Sequence, residues 1–164
     1  MTIPYKRGHT IVELLVYMGI LSILLVTLTN LFSLIVNLRL EAEGMSAVEQ
    51  DGDFLLSRLF YDISRADSIT VPADNGDTTS TLQLVIGGVT HTYATASGQL
   101  QITNDNGTDN LNGVDTTVSN ISFQRIGNVG GQSTVNVAFT LTSVAVQIQG
   151  PETKSFSTTV GIRK

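Results

Sequence analysis

Glu13 is the side chain whose position asks for chemistry. It is the one charged residue between His9 and Leu38, and residues 14–38 carry no charge at all. An acidic group among apolar neighbours near a membrane interface costs a few kcal/mol unless it is paired or reaches water. Either a partner or access to water would relieve that cost, and simple marking of an interface is the plainer reading. The other candidates are weaker. The two histidines, His9 and His91, fall in different zones and nothing places them together, so neither reads as a metal ligand or a catalyst. His91 alternates with Val89 and Tyr93, the pattern of a packed or half-exposed strand histidine. With no cysteine there is no disulfide framework, thiolate metal site or thiol nucleophile. The run Asn104-Asp105-Asn106-Gly107-Thr108-Asp109-Asn110 clusters oxygen ligands of the kind calcium takes. It lacks the Asp-x-Asp-x-Asp-Gly spacing and distal glutamate of an EF-hand loop, and turn chemistry explains it equally well. No nucleophilic triad, paired-acid site, phosphate-binding loop or zinc spacing stands out. The expectation is no catalytic residue, no cofactor, no metal and no enzyme.

Four zones must position these residues. At 164 residues the chain holds one globular domain and a short accessory segment. Its charge runs +2 over residues 1–8, −1 over 9–38, −4 over 39–68 and −2 over 69–164, in keeping with the net −5. The uncharged run 14–38 would extend about 38 Å as a helix, enough to cross a hydrocarbon core of about 30 Å. Lys6 and Arg7 precede it, so the positive-inside rule puts residues 1–8 in the cytoplasm and everything after Leu38 outside. A cleavable secretory signal fits poorly, because its apolar stretch spans only about 7 to 15 residues and ends at a small-residue site. Nucleic acid is not an expected partner: outside Lys6-Arg7 there is no basic cluster to neutralise phosphates.

Residues 39–67 read as an amphipathic helix. Val48, Gly52, Leu55, Leu59, Ile63 and Ala66 recur at steps of three or four, with Glu49, Asp53, Arg58, Asp62 and Arg65 largely off that stripe. With no proline before Pro72, one continuous helix over about residues 10–66 is the simplest expectation. Beyond Ser68 threonine becomes abundant and alternation replaces the helical period, so the zone 69–164 is an antiparallel β domain. Residues 81–86 and 89–94 flank Gly87-Gly88, a two-residue hairpin signal. Further strands are expected at 99–103, 114–118, 120–126, 134–142, 144–149 and 155–163. The fold class is α+β, a long N-terminal helix packed on an antiparallel sheet.

The segment Gly8-His9-Thr10-Ile11-Val12-Glu13-Leu14-Leu15-Val16 resembles the processing motif of type IV pilins and pseudopilins. In that family a prepilin peptidase of the inner membrane cuts a short basic leader after glycine, and the new amine is methylated. By position the resemblance implies a cut between Gly8 and His9, methylation of His9, and Glu13 as the fifth residue of the mature chain. That is the family's glutamate position. The amine of His9 on one subunit would then neutralise Glu13 of its neighbour, making a desolvated charge an assembly register. The family usually has phenylalanine or another apolar residue where this chain has His9. Leu55-Leu56-Ser57-Arg58-Leu59-Phe60-Tyr61-Asp62-Ile63-Ser64-Arg65-Ala66 is similar to a stretch of the J-type minor pseudopilins, as are the Ser97-Gly98-Gln99-Leu100, Val118-Ser119-Asn120-Ile121-Ser122-Phe123 and Phe156–Arg163 features.

The resemblance implies leader 1–8, transmembrane and assembly helix 9–38, amphipathic helix 39–68 and β domain 69–164. It implies a structural subunit at or near the tip of a type IV pilus, competence or type II secretion filament. The expected partners are prepilin peptidase, other major and minor pilins, and an inner-membrane assembly platform. The expected location is the inner membrane as a single-pass precursor, then the filament. Two alternatives stay open: a filament-displayed adhesin or binding module, and an unprocessed membrane-anchored β domain.

Overall fold

The computed structural model describes residues 10–127, 131–145 and 150–163. The chain forms two compact units, Met1–Arg39 and Leu40–Lys164. Helix α1, Ile11–Ser64, contributes to both. It ends two residues earlier than the expected 66, where Ala66 N turns to Ile63 O at 3.2 Å.

In the first unit the helix exposes an apolar surface on every side, and Ile11, Leu15, Leu24 and Phe32 all stand open. Its best 18-residue window has a mean hydropathy of 2.5, so it is long and apolar enough to cross a membrane.

In the second unit α1 buries Gly44, Val48, Gly52, Leu55, Leu59, Asp62 and Ile63. The apolar spacing expected from the sequence is thus the packed face. Asp62 is the correction: it was assigned off the stripe and is fully buried on it. Among the described residues nine strands follow: β1 (Ser68–Val71), β2 (Thr78–Thr79), β3 (Leu82–Ile86), β4 (Val89–Ala96), β5 (Gln99–Asn104), β6 (Gly107–Asn110), β7 (Thr116–Ile126), β8 (Thr134–Ser143) and β9 (Thr153–Gly161). They make two antiparallel sheets, ordered β1-β3-β4-β5-β6 and β2-β7-β8-β9. The fold is α+β, as the sequence pattern predicts.

Gly87 and Gly88 have φ of 59° and 81°, which is what a two-residue turn between right-twisted strands requires. Strand β8 alternates half-buried and buried residues along its whole length, so Val135, Val137, Phe139 and Leu141 all enter the core. Each such buried side chain stabilises by about 1.5–3 kcal/mol.

Several strand expectations need correction. The two expected at 114–118 and 120–126 are one strand, β7, broken in phase rather than in pairing. Ser119 faces Thr140 but Ser122 faces Ala138, so β7 holds one extra residue there, with Asn120 at a φ of 50°. That bulge switches the core-facing parity from Thr116 and Val118 to Phe123. The loop at 104–110 is a hairpin with Asp105-Asn106 at its tip and β6 as its return, with Asn104 facing Gly107. Strands β1 and β2 were not expected, being four and two residues long. Of the strand expected at 144–149, Val144 and Ala145 are not in a strand and the remainder lies outside the described residues.

Candidate functional site

The candidate site is the first turn of α1. Thr10 caps it: the Thr10 hydroxyl accepts from Glu13 N at 3.2 Å and Thr10 O accepts from Leu14 N at 3.1 Å. Threonine at this place satisfies a backbone donor the helix leaves open, and a carboxylate in the first turn suits the positive end of the helix dipole. Glu13 itself is half-buried. Tyr17, one turn on, donates its hydroxyl to Glu13 Oε1 at 3.0 Å. Gly8 and His9, the expected processing pair, lie outside the described residues. His91 lies on β4 in the other unit, half-buried, with its Nδ1 enclosed and no hydrogen-bond partner.

The rest of the apolar segment handles its polar atoms locally. Ser22 Oγ donates to Met18 O, Thr27 Oγ1 to Leu24 O and Thr29 Oγ1 to Leu25 O, each at 2.8 Å. Hydroxyls bonded to their own helix can enter hydrocarbon without an exposed donor. Gly19, Ser22, Asn30, Ser33 and Asn37 fall within an arc of about 80° when 3.6 residues make a turn. No atom comes within 4 Å of where a Cβ on Gly19 would sit, so another backbone can approach there. Sequence reading missed both Tyr17 and this polar seam. The spacing that reveals them, four residues from Glu13 and steps of three, four or eight along the span, was present in the sequence.

A second cluster of charge sits in the Leu40–Lys164 unit. The carboxylate of Asp62 accepts from Arg58 Nε at 2.7 Å, from Arg65 Nε and Nη2 at 3.1 and 2.8 Å, and from the Tyr93 hydroxyl. Burial, with Asp62 beside it, pushes the Tyr93 phenol far above its usual range. Burial pulls the Arg58 guanidinium down, but the Asp62 charge and hydrogen bond outweigh it and the net shift is upward. These groups hydrogen-bond one another and tie the end of α1 to β4. Asp51 plays a similar part, accepting from Gly113 N at 2.9 Å and from the Thr116 hydroxyl. A cleft of about 330 Å³ beside Arg125 is lined by Asp67, Ser133 and Ile162 among others. The Arg125 guanidinium is already committed to the carbonyls of Ile69, Pro72 and Ala73 at 3.3, 3.2 and 2.6 Å and to Ser133 Oγ at 2.8 Å. Among the described residues no group of three His, Asp or Glu side chains could hold a metal ion.

Residues 3–29 match the family described as the prokaryotic N-terminal methylation motif. The match falls on the stretch whose sequence resembles the type IV pilin and pseudopilin processing motif. The match covers Gly8, His9 and Glu13 and runs into the apolar part of α1. That motif, together with an apolar helix long enough to cross a membrane, supports a pilin-like, membrane-anchored precursor. Comparison with curated proteins and with solved structures gives no match.

Proposed function

We propose that this chain is a minor pilin or pseudopilin, a structural subunit at or near the tip of a type IV pilus, competence or type II secretion filament. What carries the reading is the methylation motif leading directly into α1, with Glu13 in the first turn. Prepilin peptidase cuts between Gly8 and His9, and the amine of His9 is methylated. The helix starts at Ile11 with Thr10 as its cap, both on the mature side of that cut. In the filament the amine of one subunit neutralises Glu13 of the next, in surroundings of low dielectric where an unpaired charge is expensive. The seam of Gly19, Ser22, Asn30, Ser33 and Asn37 supports packing against another helix, because a polar amide in hydrocarbon gains from an interhelical hydrogen bond. The similarity of residues 55–66 to J-type pseudopilins supports the tip position. The precursor sits in the inner membrane with residues 1–8 cytoplasmic, and its partners are the peptidase, other pilins and the assembly platform.

The test is the intact mass of the protein from membrane and sheared-filament fractions of its own host. Loss of residues 1–8, with or without one methyl group, is the expected result. Glu13→Ala should leave the mass of the processed chain, less the side-chain difference, but deplete it from filaments. A full-length mass in both fractions refutes the reading.

A further inference from the structure

The apolar segment contains four hydroxyl side chains whose hydrogen bonds are defined, and one behaves differently from the rest. Ser22, Thr27 and Thr29 turn back onto carbonyls of their own preceding turn. Tyr17 does not: its ring carries the hydroxyl out along the helix surface to Glu13 Oε1, 3.0 Å away. A short hydroxyl at position 17 would reach the backbone and not the carboxylate. Side chains four residues apart lie one above the other, and those of helices lean toward the N-terminus, so a tyrosine here is aimed at Glu13. Thr10 meanwhile fixes the backbone of Glu13 from the other side. The carboxylate is therefore held at both ends of its residue, by a cap below and a phenol above.

We propose that Tyr17 is a positioning residue for assembly that acts through Glu13. It rests on the pilin reading above. Before a neighbouring subunit arrives, the phenol supplies a hydrogen bond to a carboxylate embedded among apolar side chains and fixes its rotamer. When the neighbour's amine docks, it meets an acceptor already oriented, so less side-chain freedom is lost on pairing. Phenylalanine at this position keeps the ring and removes only the donor.

The experiment compares wild type, Tyr17→Phe and Glu13→Gln as full-length chains. Expressed in the native host, Tyr17→Phe should be processed to the same extent as wild type in membranes, while its amount in sheared filaments falls about tenfold, the scale of one hydrogen bond to a charged group. Purified in detergent micelles with 13C-labelled glutamate, the carboxylate infrared band lost in Glu13→Gln should shift in Tyr17→Phe. That shift is a readout that a merely structural ring would not move. An unshifted band, or unchanged filament content with intact processing, overturns the proposal. A wild type that is unprocessed and absent from filaments overturns the pilin reading beneath it, and the band then still separates the two failures.

Discussion

Replacing Gly52 with alanine puts a methyl group where the Phe156 ring now lies. On an exposed helix the change would stabilise by about 1 kcal/mol, since glycine is the poorer helix former. Here the added Cβ would fall 2.2 Å from Phe156 Cζ, 2.3 Å from Cε1 and 2.7 Å from Cε2. Carbon atoms in good contact stand about 3.5–4.0 Å apart, so the ring must retreat by more than about 1 Å. It has little room to do so. Phe156 stacks on Phe139 with centroids 5.5 Å apart and planes 19° from parallel, and Lys154, held by Glu49, lies 5.2 Å from the ring centroid. Overpacking of this kind costs about 1–3 kcal/mol. Set against the helical gain, the net expectation is a loss of about 0–2 kcal/mol. Phe156→Leu removes the obstruction, so in that background Gly52→Ala should turn neutral or stabilising, a coupling of about 2 kcal/mol. Urea unfolding of the full chain in micelles, followed by tyrosine fluorescence and circular dichroism, measures all four corners of the cycle. Gly52→Ala more stable than wild type, or an equal effect in both backgrounds, would refute the reasoning.

Asp62→Asn keeps the shape of the buried acid but removes the charge that two guanidinium groups and a phenol share. The same unfolding assay should show a loss of about 2 kcal/mol, kept modest because Arg58 and Arg65 retain access to solvent; an unchanged midpoint would show the cluster to be energetically idle. Tyr93 gives a prediction in pH. Its folded value lies above its unfolded one, so the stability it contributes is full below about pH 10 and is lost only as pH climbs through the raised folded value. Phenolate absorbance should therefore leave one tyrosine un-ionised until the domain unfolds in alkali. Complete ionisation before any change in circular dichroism is the contrary result.

What could be read in advance followed from periodicity. The helix and its packed face were legible because Val48, Leu55, Leu59 and Ile63 repeat at helical spacing over many turns. The β3–β4 hairpin was legible because Gly87-Gly88 admits the positive φ its turn needs. The misses in the fold come from pairing and packing between elements, which override a local pattern. Asp62 looked solvent-facing because an acid usually is, and nothing local announces that Tyr93, on another element, will meet it. Strand β7 looked like two strands because a single extra residue at Asn120 inverts the alternation while the pairing to β8 carries on. Strand β2 is too short to show any period, and it exists because β7 offers it an edge. At the candidate site Glu13 was evident as a lone charge, whereas Tyr17 passed for one more apolar residue of the span.

Two acids of α1, half-buried Glu13 and buried Asp62, are held in different ways. Asp62 finds its donors within its own chain: two arginines one turn either side of it and a tyrosine from the sheet. Removing one partner from such a set leaves an uncompensated charge in a closed core, so the set behaves as a fixed lock. Glu13 accepts from the Tyr17 phenol and its backbone is capped by Thr10, in a segment whose residues carry no charge from 14 to 38. Neutral donors orient a carboxylate and spare it part of the desolvation cost, but they do not cancel its charge. At Asp62 two guanidinium groups are in place within the chain, and on the pilin reading proposed above the amine of a neighbouring subunit adds a charge at Glu13. On that reading the start of the helix is where a neighbour binds, while the Asp62 cluster ties the helix to the sheet through Tyr93.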